Sequence, residues 1–131
     1  VTFESDLYAA LSGAAGLVAL VGDEIVPSHE SEGVTAGEFV VYTVVFDDTR
    51  YALTGPLDYR KVRVQVDCYA SADLDGAQDV AMAIADAVIA AIPTSGWPLH
   101  RTAHSEQDLG LETETRLFRR MLEFSIFHRS T

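Results

Sequence analysis

His100 and His104 stand four residues apart, the spacing at which two imidazoles on one helix grip a metal ion. They fall in a segment, 100–109, whose pattern reads as extended. On a strand, positions four apart share a face but lie roughly 13 Å apart, too far to share an ion. Both histidines are therefore expected at a surface or rim. Glu106, Asp108, Glu112 and Glu114 gather around a turn near Gly110. Paired carboxylates can do acid–base work or hold a divalent cation. These four lack the Asp-x-Asp-x-Asp-Gly order of a calcium loop, so they read as a solvated patch or one facing a lumen or partner. His29 and His128 have no partner nearby in sequence. The single cysteine, Cys68, alternates with valines and is expected to be a small core residue rather than a nucleophile. There is no glycine-rich phosphate loop, no Gly-x-Ser-x-Gly, no Cys-His motif and no paired-cysteine spacing. The sequence thus predicts no catalytic residue, no bound cofactor and no metal.

The elements that must position these residues belong to one domain, residues 1–131. A content of 48% hydrophobic and 22% charged residues is that of a folded chain with a real core. No apolar run approaches the roughly 20 residues that span a bilayer, and no membrane role is expected. The apolar stretch 13–21 has no basic segment before it, unlike a signal peptide. The chain opens on Val1, as after removal of an initiator Met, and one cysteine suits a reducing cytoplasm.

A net charge of −11 argues against sequence-independent nucleic-acid binding, which needs a basic surface. Its distribution says more. Residues 1–49 hold nine acids and no Lys or Arg. Arg60, Lys61, Arg63, Arg101, Arg116, Arg119, Arg120 and Arg129 fall in or at the ends of three predicted strands. An acidic half and a basic sheet suit head-to-tail association between copies. Ordinary pairing across the sheet within one chain is the alternative.

Strict alternation of Val62, Val64, Val66 and Cys68 with Lys61, Arg63, Gln65, Asp67 and Tyr69 predicts a central strand over 59–70. Helices are predicted at 3–12, at 14–21 and at 72–92, the last capped by Ser71 or Asp73 and stopped by Pro93. Glu24-Ile25-Val26 is a short extended piece stopped by Pro27, and 28–38 is a polar loop. A strand at 39–47 has two apolar faces, one of which needs cover from the first helices or from another subunit. The loop 48–58, with the turn signal Thr54-Gly55-Pro56, joins it to the central strand. Arg50, Tyr51 and Leu53 then sit on a projecting hairpin tip, either as interface anchors or as ordinary surface scatter. Strands at 100–109 and 115–128 complete the sheet. The connections give an α+β fold: a four-stranded, mainly antiparallel sheet with a split βαβ unit, its strands in the order 39–47, 59–70, 115–128, 100–109. The N-terminal helices and the long helix pack on one face. Arg60, Lys61 and Arg63 are expected to join Arg116, Arg119 and Arg120 in one basic surface for a subunit contact.

Laid out this way, the chain resembles the tail-completion, or tail terminator, proteins of long-tailed bacteriophages and phage-like particles. Four stretches carry the resemblance: Asp6-Leu-Tyr-Ala-Ala-Leu11 running into Gly16-Leu-Val-Ala-Leu-Val-Gly-Asp23, Phe39-Val-Val-Tyr42, Lys61-Val-Arg-Val-Gln-Val-Asp-Cys-Tyr69 with the Ala/Asp-rich helix, and Glu106-Gln-Asp-Leu109 with Thr115-Arg-Leu-Phe-Arg-Arg-Met-Leu-Glu-Phe124. The resemblance implies a virion structural protein, assembled in the host cytoplasm, with no enzymatic activity. It implies a homo-oligomeric ring, commonly a hexamer, at the head-proximal end of the tail. The ring would meet the tail tube protein on one side and a head-tail connector or neck protein on the other, with DNA passing through unbound. A neck connector subunit and a monomeric α+β ligand-binding module are the competing readings.

Overall fold

A computed structural model describes residues 3–22, 24–27, 37–52, 55–71, 76–112 and 116–129; the side chains of 46–52, 55–59 and 112 are not described. Helices α1 (Phe3–Ser12) and α2 (Ala15–Val21) open the fold, followed by strands β1 (Ile25–Pro27), β2 (Glu38–Ala52) and β3 (Gly55–Ser71). Helix α3 (Ala77–Ala91) then leads to β4 (Leu99–Glu112) and β5 (Leu117–His128). The sheet has five strands in the order β1-β2-β3-β5-β4. The expected order of the four long strands is observed. The fifth strand is the 25–27 piece, which lies parallel to β2 with Ile25 opposite Val40. Three residues carry no periodicity, so only the tertiary fold reveals their pairing.

The alternation along β3 sorts its two faces as the pattern requires. Val62, Val64, Val66 and Cys68 are fully buried, and β5 sets Ile126, Phe124, Leu122 and Arg120 opposite them. Onto this face α1 lays Phe3, Leu7 and Leu11, and α2 lays Leu17 and Val21. α3 adds Ile84, Ala85 and Val88. Each large apolar side chain buried there contributes about 1.5–3 kcal/mol relative to exposure. A smaller cluster of Ala70, Ala77 and Ala81 sits beside Phe118, where the alanines let α3 approach closely. β5 lies between β3 and β4 and is antiparallel to both, which is the split βαβ unit.

Several boundaries differ from the sequence expectation. α3 starts behind Gly76, at φ 69°, with no side-chain cap. Ser71 closes β3 instead of capping the helix, its N–H donating to the Gly37 carbonyl at 2.7 Å. Asp73 and the loop residues 28–36 lie outside the described residues. Gly110 is not a turn. It sits inside β4 at a bulge with φ 70°, a conformation that suits glycine, and the Asp108 carboxylate accepts its N–H at 2.9 Å. Most of the predicted loop 48–58 is strand: β2 and β3 stay paired up to Ala52 opposite Gly55. β3 meets β5 only from Arg60 onward. Its first five residues, roughly 17 Å of strand, therefore project past β5 as a two-stranded arm with β2.

Candidate assembly interface

The expected single basic surface is divided by the sheet register. Lys61, Arg63 and Arg119 lie on the face away from the helices, while Arg60 and Arg120 alternate onto the helix side. Arg116 stands exposed just before β5, with φ 55°. On the open face Arg63 Nε is 3.3 Å from Glu123, and Arg119 Nη2 is 2.9 Å from Asp67 Oδ1. On the helix side Arg120 reaches Glu106 at 2.8 Å and Asp108 at 3.4 Å. These are cross-strand or diagonal neighbours, the distance at which opposite charges in a sheet meet. Intramolecular pairing thus takes up Arg119 and Arg120, whereas Arg63 is half exposed in its pair with Glu123. It also accounts for Glu106 and Asp108, which clamp one guanidinium. The side chain of Glu112 and the whole of Glu114 lie outside the described residues, as do the side chains of Arg50 and Tyr51 and the whole of Leu53.

The open face is closed locally by its own side chains. Tyr69 stacks on Phe39 at 4.7 Å, and the Arg119 guanidinium lies 5.8 Å from the Tyr69 ring. Asp67 is 5% exposed there, with Gln65 Nε2 donating to it at 3.0 Å beside the Arg119 pair. This network helps explain why β2 is apolar on both faces. Val40 and Tyr42 face the core, and Phe39 and Val41 are buried on the other side within the same chain. Val45, between paired Val44 and Phe46 at a bulge, remains 54% exposed.

The histidines separate in an unexpected way. A bulge between Arg101 and Ala103 shifts the pleat by one residue. His100 then pairs with Phe127 and His104 with Phe124, on opposite faces of the sheet. Four residues on a regular strand would have kept them on one face. His104 Nδ1 is 3.2 Å from Arg101 Nη1, a donor. Among the described residues no three His, Cys, Asp or Glu side chains come together to hold a metal. His128 has the partner that the sequence did not show. It is buried, its Nε2 is 2.7 Å from Asp6 Oδ2 on α1, and Phe3 packs edge-on at 5.4 Å. A hollow of about 150 Å³ beside Arg101, Thr102 and His104 is about half the volume at which small-molecule sites begin, roughly 300 Å³.

Cys68 is buried, and burial pushes its thiol well above the ordinary range, with Asp67 and Glu106 adding to the rise against Arg120. That is the opposite of what a nucleophile needs. No single helix among the described residues is long and apolar enough to cross a membrane.

Exposed at the sheet's far side is β4. Residues 102–109 are exposed without interruption, on both faces of the strand. α3 packs on β3 and β5, leaving β4 at the edge. At the arm end, Trp97 is 38% exposed beneath the Arg129 guanidinium, 4.5 Å from the ring centre. Among the described residues the fold thus presents a two-stranded arm, an exposed edge strand and an exposed tryptophan.

A solved chain from the virion of a native gene transfer agent particle has the same fold, with a TM-score of 0.67 at 19% identity. The alignment covers 98% of this chain and 95% of that one. A search of curated protein sequences gave no match. The family model described as tail completion protein gp17 matches residues 5–129, from the first turn of α1 to the residue after β5. The chain belongs to the tail completion protein gp17 family and is a structural component of the phage-type tail.

Proposed function

We propose that the chain is a tail terminator. Copies assemble into a ring, commonly of six, on the head-proximal end of the tail tube. The ring stops tube polymerisation and offers its other side to the head connector, and the genome passes through the centre. The family match over residues 5–129 carries this reading. A ring needs two different complementary surfaces on each subunit. In support, α1 and α3 contain acids, none of the three helices contains Lys or Arg, and the bases lie in or beside the sheet strands. The projecting arm, with Arg50, Tyr51 and Leu53 at its end, is the first contact between subunits. Lys61, Arg63 and Arg116 are further contact candidates. Glu106 and Asp108, with Glu112 and Glu114, face the lumen or a partner.

Particles produced without this chain test the reading. Tails of uncontrolled length, unattached to heads, are expected. Tails of normal length lacking only the head junction would instead mark a neck connector. Within an assembling system, Tyr51→Ala is expected to lower incorporation of the chain into tails while its melting temperature stays within about 2 °C, as for a substitution outside the core. Unchanged incorporation would remove the arm from the contact.

A further inference from the structure

An open sheet has two edges, and here both are partly bare. β4 pairs with β5 on one side and with no described strand on the other, and its outer edge is bare beyond Arg101, whose N–H donates to the Pro93 carbonyl at 2.8 Å. At the opposite edge β1 pairs with β2 only at Val40, Val41 and Tyr42, so β2 is uncovered from Thr43 to Ala52 among the described residues. Each bare edge carries a row of backbone N–H and C=O groups able to pair with another chain.

The two edges fit each other in three respects. First, direction: β2 and β3, β3 and β5, and β5 and β4 are each antiparallel, so β4 runs opposite to β2. A second sheet laid alongside in the same orientation brings its β2 antiparallel to β4, the slightly more stable sense of pairing. Second, exposure: Val45 on the β2 edge is 54% exposed, and residues 102–109 of β4 are exposed without interruption. Third, level: following the pairings across the sheet, Val44 and Phe46 are level with His104 and Ala103, and Asp47 with Arg101. The basic end of β4 therefore stands at the height of the acidic stretch of β2.

Bulges near residues 45, 50, 102 and 109 break both edges. They bar indiscriminate strand addition. On β4 they leave residues 103–108 uninterrupted, about the length of an average strand.

We propose that the outer edge of β4 receives the outer edge of β2 from a second copy of this chain, joining two sheets antiparallel and head to tail. The proposal rests on the self-assembly reading above and specifies which surfaces it uses.

Paired cysteines test it in isolated particles. Val45→Cys is combined in turn with Ala103→Cys, Ser105→Cys and Gln107→Cys, a scan across neighbouring registers. All four positions are exposed, so the core is spared, and buried Cys68 serves as the unreactive control. Mild oxidation is expected to give a ladder of dimer, trimer and larger species on a non-reducing gel for at least one double variant. Each single variant should stay mainly monomeric. Amide exchange at residues 103–108 should slow at least tenfold on assembly. The proposal is overturned if an amine cross-linker joins copies of the chain within particles while no double variant ladders and exchange is unchanged. Self-assembly would then stand, through other surfaces. Efficient dimers from Ser105→Cys alone would overturn it in favour of β4 pairing with itself. Failure of every cross-linker to join two copies would remove the self-assembly reading together with the proposal.

Discussion

His128 Nε2 lies 2.7 Å from Asp6 Oδ2, tying the last residue of β5 to the first turns of α1 across 122 positions of sequence. The imidazole is 1% exposed, and Arg60 offers Nη2 to its Nδ1 at 3.5 Å, the outer limit of a hydrogen bond. The two ends of the chain are fastened where the arm leaves the sheet.

Asp6→Ala should therefore destabilise the fold by about 1–3 kcal/mol, because it leaves a buried imidazole N–H without its acceptor. Urea unfolding followed by far-UV circular dichroism measures this. A double-mutant cycle with His128→Leu should show coupling of at least about 0.5 kcal/mol. Strict additivity would mean that the contact contributes nothing.

Asp67 holds Arg119 and Gln65 beneath the Phe39–Tyr69 stack. Asp67→Ala is expected to cost about 2 kcal/mol, since the charged hydrogen bonds to a half-buried guanidinium are lost. Asp67→Asn should cost less, because it retains an acceptor. Thermal melts of the two variants give the order, and an equal loss would point to side-chain volume rather than charge.

The Cys68 thiol should resist modification in the folded chain. Burial holds it protonated, so at pH 8 an aromatic disulfide reagent should react only as fast as the protein unfolds. The direction of the shift also sets a pH dependence. As pH rises past the ordinary value of 9.0, the unfolded chain loses its thiol proton while the folded chain keeps it. Stability is fully present below that pH and declines above it. Urea midpoints at pH 8 and pH 10 should fall further for the natural chain than for Cys68→Ala, which removes this contribution. Equal falls would assign the decline to other groups.

Val66 is fully buried between β2 and β5, opposite Tyr42 and Leu122. Val66→Asp would place an unpaired carboxylate there and is expected to abolish folding. Loss of the circular dichroism signal at 20 °C checks this, and a folded variant would contradict the assigned face.

The long elements were legible because they repeat. The alternating valines of β3, the three- and four-residue steps of α3 and the short connections were enough for the order of four strands and for the buried face. What escaped has no local signature. β1 is three residues long. The bulge near Thr102 flips the strand between His100 and His104, although nothing in Arg-Thr-Ala announces an extra residue. The Asp108-Leu-Gly110 bulge did leave a trace, an aspartate two residues before a glycine, but it read as a turn. Pairing of Arg119 with Asp67, and of His128 with Asp6, depends on residues 52 and 122 positions apart. The candidate surfaces are only partly legible: the arm follows from the hairpin, whereas the exposed flank of β4 depends on α3 packing on β3 and β5.

Confining the bases to the sheet strands and their ends has a kinetic consequence. Two copies meeting in solution repel most strongly when their helical sides approach, because α1 and α3 bring carboxylates and none of the three helices brings a Lys or Arg. Approaches led by the sheet meet less repulsion. This bias reaches only about 8 Å at physiological ionic strength, so it acts in the last steps of collision. Salt should therefore alter how often copies arrive in a productive orientation more than how tightly they hold once joined.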